Sequence, residues 1–133
     1  MSSPTSPEVG LSVVHRRYVS YAEAHYAGNL VDGAWGLGLF GDVATEMCLR
    51  TDGDEGLFAS YSDVQFRAPV RAGDVVEARA TLVGAGRRSR RIDFALVVVA
   101  RGDASQGSES GALVLAEPVI ATTATGTVVV PQP

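Results

Sequence analysis

The sequence predicts an α+β fold in which an antiparallel β-sheet wraps one long central helix. Two observations lead there. The stretch from about Asp32 to Arg50 is apolar around most of a helical circumference. Five segments rich in β-branched and aromatic residues flank it, one before and four after, and short turns join the later ones. A helix apolar on most sides needs a sheet curved around it.

The elements follow in order. Met1 to Gly10 is Ser/Pro-rich and reads as a disordered tail, so residues 1–10 are set apart from a single domain over 11–133. Leu11 to Ser20 reads as a first strand, and Ser20 to Asp32 as a loop into the helix. Asn29 or Asp32 can serve as N-cap, and Thr51-Asp52-Gly53 ends the helix, with Gly53 suited to a left-handed C′ conformation. Asp52 to Gly56 is an acidic turn that lacks the spaced ligands of a calcium loop. Leu57 to Val70 is a second strand that Pro69 ends or leaves at an edge. Val75 to Gly84 and Ser89 to Arg101 are the third and fourth strands. Gly102 to Gly111 is a flexible insertion, and Leu113 to Val130 is the last strand. This order is that of a hot-dog fold, a helix inside a curved sheet, and would also suit another α+β sandwich. One such domain leaves sheet edges open, and self-association is the expected remedy.

Composition narrows the function classes. A chain of 133 residues can bury a core, and a net charge of −4 gives no sign of nucleic acid or membrane-surface binding. The lone cysteine, Cys48, lies in the apolar helix and reads as a buried structural thiol. No apolar run approaches the ~20 residues of a membrane span, and the N-terminus lacks the apolar core of a signal peptide, so a cytoplasmic protein is expected. There is no zinc set, no phosphate-binding P-loop, no dinucleotide glycine fingerprint and no Gly-x-Ser-x-Gly elbow.

The helix carries the chemistry. Gly33, Gly36, Gly38 and Gly41 crowd its first half, each costing about 1 kcal/mol relative to alanine, which points to another backbone, or a ligand, coming very close. Asp42 and Glu46, spaced i and i+4, share a face with Arg50 one turn on. They read either as a solvated stripe or as a catalytic acid/base pair. Free N–H groups at Gly33-Ala34 would polarise a carbonyl oxygen. His25 is a candidate proton carrier or a loop residue bonded to backbone, and Tyr26 orients a substrate or staples the loop. The run Gly86-Arg87-Arg88-Ser89-Arg90-Arg91 suits phosphate or guards a solvated edge.

The segments AHYAGNLVDGA, FGDVATE, DGDEGLF and FRAPVRAGD resemble those of the 3-aminobutyryl-CoA and β-alanyl-CoA ammonia lyases, which are hot-dog proteins. More distantly, GNLVDGA is similar to the Gly-His-Val-Asn-Asn-Ala loop of hot-dog thioesterases. The resemblance spans about Tyr18 to Val130. It implies a coenzyme A thioester as substrate, no further cofactor and no metal. It also implies a homodimer or trimer of dimers with sites at the subunit interface. By position it makes Glu46 and Asp42 the acid/base pair, with His25 beside them. It makes Gly33, Ala34, Tyr26, Asn29 and Asp32 the substrate-binding set, and Arg88, Arg90 and Arg91 the phosphate contacts. Where the family often has arginine after the Gly-Ala pair, this chain has Trp35. The expected reaction is reversible loss of ammonia from a 3-aminoacyl-CoA. Burial and the Asp42 charge would raise the pKa of Glu46, the expected base. Hydrolysis of an acyl-CoA or acyl-carrier thioester is the alternative, and a non-catalytic acyl-CoA-binding module is a third reading.

Overall fold

The computed structural model describes residues 8–131. Residues 1–7 of the expected tail lie outside that range, while Glu8 to Gly10 form a turn whose Gly10 N–H donates to Leu82 O at 2.8 Å. The described strands are β1 (Ser12–Tyr18), β2 (Ala24–Tyr26), β3 (Leu30–Val31), β4 (Leu57–Phe66), β5 (Val75–Ala85), β6 (Ser89–Gly102) and β7 (Ala112–Val129), with one α-helix, α1 (Gly33–Asp52). β1, β5, β6, β7 and β4 form, in that order, one antiparallel sheet; β2 and β3 pair in the loop before α1. This is the hot-dog arrangement. Among the described residues no helix is long and apolar enough to cross a membrane.

Alternation along the central strands builds the concave face. Val76, Ala78, Ala80 and Leu82 of β5 point inward, as do Ile92, Phe94, Leu96 and Val98 of β6. They meet Phe40, Val43, Ala44, Met47 and Cys48 of α1, all buried. Phe40 stacks on Phe94 with ring centroids 4.9 Å apart, and Phe58 lies over Phe94 at 5.9 Å. Gly126 makes room for that second ring, because a Cβ there would lie 2.4 Å from Phe58 Cζ. Tyr61 of β4 donates its hydroxyl to Leu37 O at 2.7 Å, tying the edge strand to the helix.

The helix is bounded as its sequence signals require: Asp32 holds the extended N-cap conformation, and Gly53 (φ 65°) donates its N–H to Leu49 O. Two expectations change. β4 ends at Phe66, so Pro69 lies in a loop beyond the sheet. The segment expected to be a flexible insertion is a hydrogen-bonded turn, in which Asp103 Oδ1 accepts from Ser105 N and Asp103 N donates to Gly111 O. Pro118, which has no N–H, falls where β7 swells: Val98 faces Val119 and Ala100 faces Val114, leaving residues 115–118 opposite Val99 alone.

Two ion pairs fasten the outer elements. Arg101 grips the fully buried Asp74 with two 2.9 Å bonds and donates to Pro69 O, fixing the loop after β4 against β6. Arg90 is buried as well. It forks onto Asp52 (2.9 and 2.6 Å) and donates to the carbonyls of Gly86 and Ser89. Burial pushes the Asp52 carboxyl up, but the bonds from Arg90 and Thr51 more than offset this, and it lies below its ordinary 3.8. Its stabilising effect is therefore present above that value and lost as pH falls through the lower folded-state value. Arg90→Ala strands the Asp52 carboxylate and is expected to cost about 3 kcal/mol in urea unfolding at pH 7, with a smaller penalty in acid.

Candidate active site

Where β4 leaves the sheet at Phe66, the helix start is uncovered and a cavity of about 580 Å³ opens. Tyr26, Val31 and Asp32 line one side, Gly33 to Gly36 the helix side, Phe66 to Val70 the opposite wall, and Leu96 and Thr122 the floor. Gly33 and Ala34 are the first two residues of α1, so their N–H groups have no intrahelical acceptor, and no described residue accepts from them. The dipole of α1 makes this end electropositive. The cavity can thus hold an apolar acyl chain and place a carbonyl oxygen against two backbone donors.

The glycines answer in two ways. A Cβ on Gly33 would sit 2.3 Å from Phe66 Cε1, and one on Gly36 would lie 2.9 Å from Leu96 Cδ2. Side chains, not a second backbone, make the close approach at these two positions. Gly38 and Gly41 face open space.

The expected site residues do not all gather here. Tyr26, Asp32, Gly33 and Ala34 line the cavity, together with Trp35. Asn29, in left-handed conformation at φ 60°, lines a second cavity of about 400 Å³ beside Tyr18, Tyr21, Arg71 and Arg101. His25 is exposed, edge-on to Tyr26 at 4.8 Å, and lines neither. Asp42 and Glu46 face strand β1, on the part of the helix that the sheet leaves open. Asp42 lies 3.9 Å from Arg17, and both are well exposed. Glu46 accepts from Arg50 Nε at 2.9 Å and shares a 2.8 Å bond with His15 Nε2. Along α1, Glu46 is about 20 Å from Gly33 and Asp42 about 14 Å, at 1.5 Å per residue.

Two expectations are corrected. The Glu46 carboxyl is held below its usual range, not above it. The His15 bond lowers it most and the Arg50 bond next, and burial opposes them only weakly because the side chain is a third exposed. Arg90 is buried and commits four of its five N–H donors to Asp52 and two carbonyls, so it is not free to grip a phosphate. Arg88 and Arg91 are exposed on the same hairpin, beside the helix C-terminus and some 28 Å from the cavity by the length of α1. Sequence reasoning missed His15, which shares the inward parity of Val13 on β1, and the wall Phe66 to Val70, which lies within FRAPVRAGD. Cys48 is sealed in the core, and burial pushes its thiol up to about 11.

Fold and cavity define a class, and comparison with known proteins agrees. Residues 30–102 match the family model described as the thioesterase superfamily, and this chain belongs to that superfamily. A hexameric hotdog-fold thioesterase of Campylobacter jejuni superposes with a TM-score of 0.73 at 19% identity, over 89% of this chain and 81% of the other, a likeness of fold. A 3-aminobutyryl-CoA ammonia lyase of Acetoanaerobium sticklandii is 47% identical over 116 residues, 86% of this chain and 90% of that protein. The β-alanyl-CoA:ammonia lyase from Clostridium propionicum superposes with a TM-score of 0.87 at 37% identity, over 94% of this chain and 88% of the other. Within the superfamily, the chain belongs to the family of these CoA ammonia lyases.

The His15–Glu46 bond has a measurable signature. In His15→Ala, a carboxyl-carbon NMR titration is expected to place the Glu46 pKa above its wild-type value, toward the ordinary 4.5.

Proposed function

We propose that this protein eliminates ammonia reversibly from a 3-aminoacyl-CoA such as 3-aminobutyryl-CoA or β-alanyl-CoA, giving the enoyl-CoA. The observation that carries the reading is the open helix start: two backbone donors, Gly33 and Ala34, with no acceptor among the described residues, facing a largely apolar chamber of about 580 Å³. Membership of the lyase family supports it.

In this reading the thioester oxygen sits on the Gly33 and Ala34 N–H groups. As a carboxylate removes the α-proton, the Cα–H electrons move toward that oxygen, and the two donors stabilise the enolate-like charge. One such donor is worth about 10²–10³ in rate. The C–N bond then breaks, its electrons leave with nitrogen, and the proton held by the carboxylate passes to the departing ammonia. Glu46 is the acid/base residue, kept ionised as a base by His15 and Arg50. Asp42 lies one turn away on the same helix. The metal-free reaction needs no cofactor beyond the substrate's own coenzyme A, and a cytoplasmic setting accompanies it.

A helix about 20 Å from Gly33 to Glu46 cannot bring both to one thioester within a chain. We therefore read the assembly as a dimer, or a trimer of dimers, in which Glu46 of one subunit serves the helix start of its partner. The open edge of β4 and the exposed side chains Leu57 (76%) and Phe66 (60%) support such pairing.

Crotonyl-CoA and acryloyl-CoA, each incubated with and without ammonium, test the chemistry. Ammonium-dependent loss of enoyl absorbance with no free thiol is expected; thiol release without ammonium dependence would move the protein to hydrolysis. Glu46→Gln is expected to lower turnover by about 10²–10⁴-fold with the fold intact. Mixing Glu46→Gln and Gly33→Val subunits tests the shared site. Restoration to roughly a quarter of wild-type activity is expected from random two-fold pairing, and none if both residues serve one chain's site.

A further inference from the structure

Asp32 is the group at the cavity that the chemistry above leaves unused. It occupies the N-cap position of α1, where an aspartate ordinarily accepts from the second or third backbone N–H of the helix. Here its side chain makes no capping bond, and no hydrogen bond or ion pair to any described residue. It lines the chamber, and it is the one carboxylate among the described residues that do so. The other charged lining residue, Arg67, is directed to Thr123 Oγ1.

We propose that Asp32 receives the ammonium group of the 3-aminoacyl chain and thereby selects amino-substituted over plain acyl thioesters. The inference rests on the lyase reading and names its substrate-selecting residue. Covalent geometry carries it. The nitrogen of a 3-aminoacyl thioester is three bonds from the carbonyl carbon, roughly 3–4 Å away at bond lengths near 1.5 Å. A carbonyl oxygen held by the Gly33 and Ala34 N–H groups therefore places that nitrogen next to the helix start. An N-cap side chain reaches this same space, since its usual bond is from the second or third N–H, here that of Ala34 or Trp35. Within one chain Asp42 is about 14 Å away and lies against Arg17, so Asp32 is the carboxylate at the helix start that the chain itself supplies. The apolar wall formed by Trp35, Val70 and Leu96 lowers the local dielectric and strengthens a charge-assisted bond to Asp32. It offers nothing polar to a second ammonium position.

Asp32→Asn separates recognition from structure, because asparagine is an equally good N-cap. In the variant, KM for 3-aminobutyryl-CoA and for ammonium in the reverse direction is expected to rise at least about tenfold, the worth of one charge-assisted bond. The KM for crotonyl-CoA and the inhibition constant of butyryl-CoA, which carry no amine, should stay within about twofold. Asp32→Ala should give the same pattern, with helicity by circular dichroism unchanged in both. Equal weakening of all four ligands would overturn the proposal in favour of a structural role. An amine-specific loss in Asp42→Asn but not in Asp32→Asn would overturn it in favour of Asp42. A wild-type protein that eliminates no ammonia would remove the lyase reading, and this inference with it. A lyase indifferent to Asp32→Asn would remove the inference alone.

Discussion

The covering of α1 governs this molecule. Phe40, Val43, Met47 and Cys48 are at zero exposure, and a helix carrying such a face is unstable in water without a sheet around it. Five strands must curve to do the work, and their irregularities lie where curvature is needed. The β5–β6, β6–β7 and β4–β7 pairs each slip register twice. The wrapping is incomplete at one end. β4 departs at Phe66, its following loop is anchored by Arg101 and Asp74, and the helix start is left bare. The chamber is the gap left there between the helix start and the sheet residues Phe66, Leu96 and Thr122.

That origin explains what was legible in the sequence. The helix bounds were readable because Asp32 and Gly53 act locally, and the strands because their residues fit a pleated, half-buried surface. Tyr26, Asp32, Gly33 and Ala34 were readable as neighbours of the helix start. The other half of the chamber was not, because Phe66, Leu96 and Thr122 arrive there only through the sheet order. His15 shows the same limit. Parity along β1 gives its side of the strand, but only the helix-on-strand packing brings it to Glu46. The direction of the Glu46 shift was misjudged because burial was inferred from the helix as a whole, whereas this residue lies on its open face. Arg90 looked like a surface charge among four arginines; it is buried because its partner, Asp52, far away in sequence, is packed against it.

The helix also sorts its carboxylates by environment. Asp52, at one end, is tied down by Arg90 and serves the fold. Glu46 is held between a histidine and an arginine, whose bonds keep its carboxyl below its usual range. Asp32, at the other end, has no side-chain partner among the described residues. Three of the acids on α1 and its N-cap thus have three electrostatic settings, fixed by what β1, the β5–β6 hairpin and the chamber each present.

The burial of Cys48 has a redox consequence. The one sulfur nucleophile of the chain lies beneath the sheet, with its thiol pushed up to about 11, so at neutral pH it is both out of reach and protonated. Coenzyme A carries a thiol of its own and forms disulfides when oxidised. A protein that takes such a molecule into its site without an accessible thiolate has no partner for mixed-disulfide exchange, and its native state stays insensitive to the oxidation state of the CoA pool around it.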